Sequence, residues 1–384
     1  MSTDSVRLED ITTLISRGRA PSYCETKGLQ VVNQKCIRDG KVDFSLTRMT
    51  DVEVRPCPEW AYLQVGDCLI NSTGSGTLGR TAIVDALTAP ATTDTHVTIV
   101  RPRSEMCLPL FLAYYLRSIE NELVSLSEGA TGQTELAREI VRGLRIQLPS
   151  LAEQQRIVAK LDEVDSDLRT LSEHLDAELL RSAQLRLSVV DELFASASGT
   201  PTALGELLDI QNGYAFESEH FTPSAPIGLI RIRDLKRGTV TETGYEGTYD
   251  LAYLVKAGDL LIGMDGEFRC YTWKGAPALL NQRVCRLHKF REDVDPRFVL
   301  HGINTHLAQI EAETGFTTVK HLSSRTIKEI SFELPALAEQ QRIVAKVEEV
   351  QSACAEISAN IQRRKAEAGE LRQSVLAAAF RGEL

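Results

Sequence analysis

No two cysteines in this chain stand at CxxC spacing. The eight, Cys24, Cys36, Cys57, Cys68, Cys107, Cys270, Cys285 and Cys354, are scattered, and so are the seven histidines. Neither HExxH nor a finger spacing occurs, so no metal site is expected. Irregular cysteine spacing without a signal peptide points to reduced thiols in a cytoplasm. The opening MSTDSVRLED has no apolar stretch, and no apolar run nears the roughly 18 residues of a membrane span. There is no GxxxxGK[ST] for ATP and no Asn/Asp-Pro-Pro-aromatic segment for amino-group methylation. No acidic pair with a following lysine stands out as a nuclease core. Together these absences favour a chain without chemistry of its own. Cationic excess is missing too: the net charge of −10 excludes a histone-like, mainly electrostatic binder.

What is present is a long repeat. Leu148–Val164 (LPSLAEQQRIVAKLDEV) returns at Leu334–Val350 as LPALAEQQRIVAKVEEV, 186 positions later, and the offset still holds from Phe194 to Phe380. The preceding stretches share only an outline. A period this long changes the fold expected, because it divides the chain into variable block, constant arm, variable block, constant arm. The boundaries fall at 1–147, 148–198, 199–333 and 334–384. Residues 148–198 carry 5 basic and 10 acidic side chains, so half of the negative excess sits on the first arm. Each block is near neutral and can carry a locally basic face.

The arms read as helices. Ile157, Leu161, Val164, Leu168, Leu171 and Leu175 step by 4, 3, 4, 3, 4, and Ile343, Val347, Val350, Cys354, Ile357 and Ile361 repeat the steps. That is a heptad seam. Pro149 and Pro335 precede each run, and Ser-Gly-Thr-Pro at 198–201 ends the first. Beyond Leu175 the phase is lost, with Leu179 corresponding to Lys365. An amphipathic helix packed on a domain gives the same pattern, but two in-phase seams of equal length favour mutual pairing. A chain that leaves one block along an arm and returns along the other places the arms antiparallel, a pseudo-two-fold arrangement suited to bipartite DNA sites.

The blocks read as α+β. VGDCLIN (65–71) matches AGDLLIG (257–263), and HVTIV (96–100) aligns with RVCRL (283–287). TGQT at 131–134 and TGFT at 314–317 each precede a similar strand and arm. Gly74, Gly76 and Gly79 spell GxGxxG after a strand, but no helix follows, as a dinucleotide site requires. A Gly/Ser/Thr hairpin tip is the better reading, with Ser72, Thr73, Ser75, Thr77 and Arg80 as candidate DNA contacts. The corresponding loop, MDGEFRCYTWKG (264–275), mixes Arg269 and Lys274 with Tyr271 and Trp273, a pattern suited to phosphate contact and base stacking. A partly packed hairpin tip fits equally. Asn281, Gln282 and Arg283, with Gln211, Asn212 and Tyr214, supply side chains that read base edges. IRIRDLKRG (230–238) alternates as a strand with Arg231 and Arg233 on one face, solvated or turned to phosphate.

LP-L-AEQQRIVAK, twice present after a β-rich block, together with the closing AAAFRGEL, resembles the specificity subunit of type I DNA restriction–modification systems. The likeness covers essentially the whole chain. It implies an α+β fold of two β-rich target-recognition domains, joined and separated by two long antiparallel coiled-coil helices with a pseudo-two-fold. Each block then reads one half of an interrupted, asymmetric site in double-stranded DNA. The arms, through Ile157, Leu161, Val164, Leu168, Ile343, Val347, Val350 and Ile357, pair and dock two methylation subunits. Those subunits carry S-adenosylmethionine, and two restriction subunits with translocase and nuclease activity can join. The chain itself is then a non-catalytic scaffold without a cofactor. Two other readings stay open: a coiled-coil adaptor that binds only protein, and an enzyme using the Gly-rich loop for a nucleotide.

Overall fold

The computed structural model describes residues 5–25, 28–127, 135–313 and 321–384. The TGQT and TGFT segments lie outside them. The chain divides into two compact units, Met1–Asp176 with Gln362–Leu384, and Ala177–Ile361. The divisions fall inside the arms, because each half-arm packs on the block beside it.

In the first unit, six strands form one sheet. They are β1 (Thr12–Arg17), β2 (Ile37–Arg38), β3 (Gly40–Val42), β4 (Cys68–Asn71), β5 (Thr81–Ile83) and β6 (Val97–Pro102), in the order β1-β6-β4-β5-β3-β2. Every residue of β4 is buried. Both faces are covered, as its unbroken apolar run requires. Cys68 and Ile70 face helix α1 (Pro109–Ser118), with Phe111, Leu112 and Leu116, and the arm residues Ile157, Val158, Leu161, Leu376 and Ala379. Leu69 faces the other way, onto Val32, Ile37 and Ile99. In the second unit, β7 (Asp209–Asn212), β8 (Leu260–Gly263), β9 (Cys270–Thr272) and β10 (Val284–His288) form a sheet in the order β7-β10-β8-β9. Its core takes in Phe298, Val299 and Ile303 of helix α2 (Pro296–Glu313), with Ile343, Val344 and Val347 of the second arm. The registers of β4–β5 and β8–β9 agree residue for residue: Ile70 faces Thr81 and Ile262 faces Cys270.

Each block is closed by a two-stranded sheet that joins its first residues to its last. Ser5–Arg7 pairs with Arg145–Gln147, and Thr200–Ala203 pairs with Ser331–Leu334. Gly199 passes so close that a Cβ there would lie 2.3 Å from the Leu334 backbone.

The arms are helices, Leu151–Ala195 and Leu337–Phe380, of 45 and 44 residues. Within each unit they run antiparallel. In the first, Asp165 meets Arg372 at 2.8 Å and Asp176 pairs with Lys365, while Arg156 donates to the Leu384 carbonyl. In the second, the Cys354 thiol donates to Ser182 O at 3.6 Å. Ile157, Leu161, Leu168 and Leu175 are buried, as are Ile343, Val347, Cys354 and Ile361; Val164, Leu171 and Val350 are half-buried. Ile357 departs from the seam and is 39% exposed. The first seam residues serve the blocks: Ile157 and Leu161 join one core, Ile343 and Val347 the other.

The repeated LAEQQRIVAK has a structural use that its spacing does not announce. Its first glutamine is fully buried in both copies. Gln154 Oε1 accepts from the Leu108 amide, and its Nε2 donates to the Met106 and Pro149 carbonyls. Gln340 does the same with the Asp295 amide and the Asp293 and Pro335 carbonyls. Each glutamine satisfies the chain just ahead of α1 or α2, which fixes the block helix to its arm. Arg156 and Arg342, both in the repeat, pair with Glu153 and Glu339 one turn back, at 2.7 Å.

Candidate nucleic-acid interface

Two hairpins, one per unit, carry part of the candidate set. In the first, residues 72–80 join β4 to β5. Gly74, Gly76 and Gly79 have φ of 107°, 72° and 82°. They are turn glycines in the left-handed region, and a strand follows where a dinucleotide site needs a helix. Ser72 does not belong to the exposed surface. It is fully buried, and its hydroxyl shares a 2.6 Å hydrogen bond with Thr98. Thr73 is engaged by Gln34 at 2.6 Å and by His96 at 2.8 Å. Thr77 is half-buried; Ser75 and Arg80 are exposed. Asn71 anchors the loop base, donating to the Gln34 and Thr77 carbonyls.

The aromatic and cationic residues of 264–275 part company. Phe268 and Trp273 are 3% and 2% exposed, and the Trp273 indole donates to the Ala276 carbonyl at 2.9 Å. Trp273 is therefore core, not a stacking platform. Along the β9 strand the faces alternate: Phe268 and Cys270 point into one core, Tyr271 and Trp273 toward another, while Arg269 and Lys274 are exposed. Tyr271 is half-buried, and desolvation raises its hydroxyl pKa.

QNGY and NQR, 70 positions apart in sequence, come together. The Gly213 and Tyr214 amides donate to Val284 and Leu280, and the Gln282 amide donates to Tyr214 O. Asn281 is buried, its side-chain Oδ1 accepting from the Gln282 amide at 2.7 Å; it holds the turn and does not face outward. Gln211 is also committed, to Arg286 and the Ala252 carbonyl. Exposed at this place are Asn212, Tyr214, Gln282 and Arg283. Tyr214 is half exposed and braced by Phe216 and Tyr253, with ring centroids 5.1 and 5.2 Å away. Asp265 orients the site: its carboxylate lies 2.7 Å from Arg283 and 2.7 Å from His321. Reading for cations and aromatics missed Asp265 and His321. The carboxylate in MDGEF was the available signal.

Residues 230–238 are not one strand. The strand Ile227–Ile230 stops, and Ile232–Leu235 makes a helical turn. Buried Asp234 causes the change, accepting from the Arg231 and Glu242 amides. Arg231 and Arg233 are both exposed, but they do not share a strand face. Arg233 is held by Glu242 and Thr243.

Among the described residues Cys36, Cys57, Cys68, Cys107, Cys270, Cys285 and Cys354 are free thiols. Burial pushes the Cys107 and Cys285 thiols up to about 12, which keeps them protonated and unreactive. Among the described residues, Glu217, Glu219 and His220 form a group of three whose ligand atoms approach one another, and it is mostly exposed. No helix among the described residues is long and apolar enough to cross a membrane. On the arms, Leu180, Leu185 and Leu187 of the second unit and Leu371 of the first are more than half exposed.

The family described as "Type I restriction modification DNA specificity domain" matches residues 4–181 and 200–364. The EcoBI type I restriction enzyme specificity subunit of Escherichia coli is 39% identical over 183 residues, 47% of this chain and 38% of that protein. The StySPI specificity subunit of Salmonella potsdam is 25% identical over 417 aligned positions, covering 97% of this chain and 87% of that one. A solved structure described under "Structural basis underlying complex assembly and conformational transition of the type I R-M system" matches 99% of this chain and 98% of its own. Its TM-score is 0.75 at 21% identity. The HsdS subunit of Thermoanaerobacter tengcongensis gives 0.56 at 22%, over 99% of this chain and 97% of that one. At these identities the structural likeness is one of fold.

Proposed function

The chain belongs to the type I restriction modification DNA specificity family, and from that premise we propose that it reads a bipartite, asymmetric site in double-stranded DNA, one half per block. The carrying observation is the pair of hairpins on one strand register whose exposed side chains differ around a shared arginine, Ser75 with Arg80 in one and Lys274 with Arg269 in the other. A shared scaffold with unlike surfaces suits two unlike half-sites. The chain acts in a cytoplasm and transfers no methyl group. Adenine methylation belongs to two partner subunits that bind S-adenosylmethionine and flip the target base. Those subunits dock on the arms, where the exposed leucines supply apolar contact. Two restriction subunits complete the assembly.

Exchange of residues 199–333 for the second block of another family member tests this. Methylation mapping of host DNA is expected to show one half-site changed and the other kept. Change in both halves, or in neither, overturns the assignment of one half to each block. The purified chain given S-adenosylmethionine and DNA is expected to transfer nothing.

Within the second block, Arg283→Ala is expected to weaken binding by about 1–3 kcal/mol and relax one position of the site. Asp265 already orients that guanidinium. Titration against a panel of single-base variants checks this, and a uniform loss at every variant would make Arg283 a phosphate contact instead.

A further inference from the structure

A cleft of about 440 Å³ in the first unit gathers four arginines, Arg38, Arg80, Arg117 and Arg372, against two carboxylates, Asp39 and Glu120. It lies where the hairpin, helix α1 and the end of the second arm meet. Its cations are only partly neutralised. Glu120 is occupied, since its Oε1 accepts from the Thr81 amide and hydroxyl at 2.7 and 2.8 Å. Asp165 serves both Arg117, at 3.4 Å, and Arg372, at 2.8 Å. Arg38 donates to the Lys35 carbonyl, and Arg80 has no carboxylate partner among the described residues.

Two glycines shape the cleft. Gly40, at φ 76°, leaves room for Arg117: a Cβ there would lie 3.2 Å from its guanidinium. Gly369 lines the cleft from inside the second-arm helix, and a Cβ there would meet nothing within 4 Å. Glycine is a poor helix former, and no packing contact requires it here. The corresponding residue of the first arm is Ala183.

The second unit holds the counterpart, and it is electrostatically different. Arg269 stands where Arg80 does, and Arg186 where Arg372 does. Arg117 is replaced by Asn304, and Asp191, Glu267 and Glu311 line the space. Two arginines against three carboxylates do not favour an anion, whereas in the first unit four arginines face Asp39, Glu120 and the shared Asp165, which leaves the balance positive. The repeat thus preserves the place and varies the charge.

We propose that the cleft of the first unit binds a phosphodiester group of the DNA backbone, beside the loop that meets the bases. Planar guanidinium forks suit phosphate oxygens, and Arg80 joins the cleft to the hairpin. The cleft adds grip without sequence information, and it does so in one unit only. This inference rests on the proposed reading of DNA by the blocks.

The test measures the salt dependence of duplex binding by the full chain, using a duplex that carries the mapped site. Gly369→Glu places a carboxylate in the cleft at a position with free space and a better helix former. It is expected to reduce the slope of log affinity against log salt by about one unit, as is Arg80→Gln. The sequence read by Gly369→Glu is expected to stay the same. Gly369→Ala and Arg186→Gln are expected to keep the full slope. If Gly369→Glu and Arg80→Gln keep it too, with the helix intact by circular dichroism, this inference falls and the function stands. It falls equally if Gly369→Glu leaves the slope but abolishes capture of the methylation subunits, since the cleft would then take a partner's carboxylate. A native chain that binds no duplex selectively overturns the proposed function, and this inference with it.

Discussion

Asp67→Ala is expected to destabilise the first unit by about 3–5 kcal/mol, the usual cost of leaving a buried charge without its partner. Asp67 is fully buried. Its two oxygens take Arg101 in a bidentate grip at 2.7 and 2.8 Å, and one also accepts from the Gln64 amide. The second unit uses the same Gly-Asp pair more loosely. Asp259 accepts from the Lys256 amide and meets Arg286 at 3.2 Å. By strand register Arg286 corresponds to Ile99, two positions before Arg101 and so on the same face. Arg286 has other acceptors in Leu254, Ala252 and Gln211. Asp259→Ala is therefore expected to cost less than Asp67→Ala. Hydrogen exchange of the β4 and β8 amides reads the two units separately. Equal losses in both would show that the bidentate geometry adds nothing.

Gln340→Leu is expected to be as disruptive in the second unit. The change strands the Asp295 amide and the Asp293 and Pro335 carbonyls inside the protein. A buried group without a partner costs about 1–3 kcal/mol, so a total on the order of 4 kcal/mol follows. Leucine has the volume to fill the space, so the loss measures hydrogen bonding and not a cavity. The repeat predicts the same for Gln154→Leu in the first unit. Urea unfolding, with limited proteolysis around 293–297, gives the reading. Native stability and native protection in both variants would reduce these glutamines to passengers of the repeat.

The helical arms and the hairpins were legible because their signals are local. A heptad repeats within one helix, and a Gly-Asp pair before an apolar run marks a strand wherever it lies. Burial of particular polar and aromatic residues was not legible. Ser72, Asn281 and Trp273 looked like surface chemistry, yet each faces inward and meets a partner from its own turn or a facing strand. The alternation of 230–238 failed because one buried carboxylate, Asp234, offered the backbone a helical turn instead. The seam was read as arm against arm. Its first members turned out to belong to the block cores, since the same apolar spacing serves any neighbour.

By itself the sequence determined the repeat, the two long helices, the α+β blocks and the family, because covalent order and short-range periodicity carry that information. Only the tertiary structure decided which exposed side chains stand together. QNGY joins NQR through backbone hydrogen bonds across 70 residues, and Arg80 and Arg372, far apart in the chain, line one cleft. Such meetings depend on strand register and helix packing, which no local pattern records.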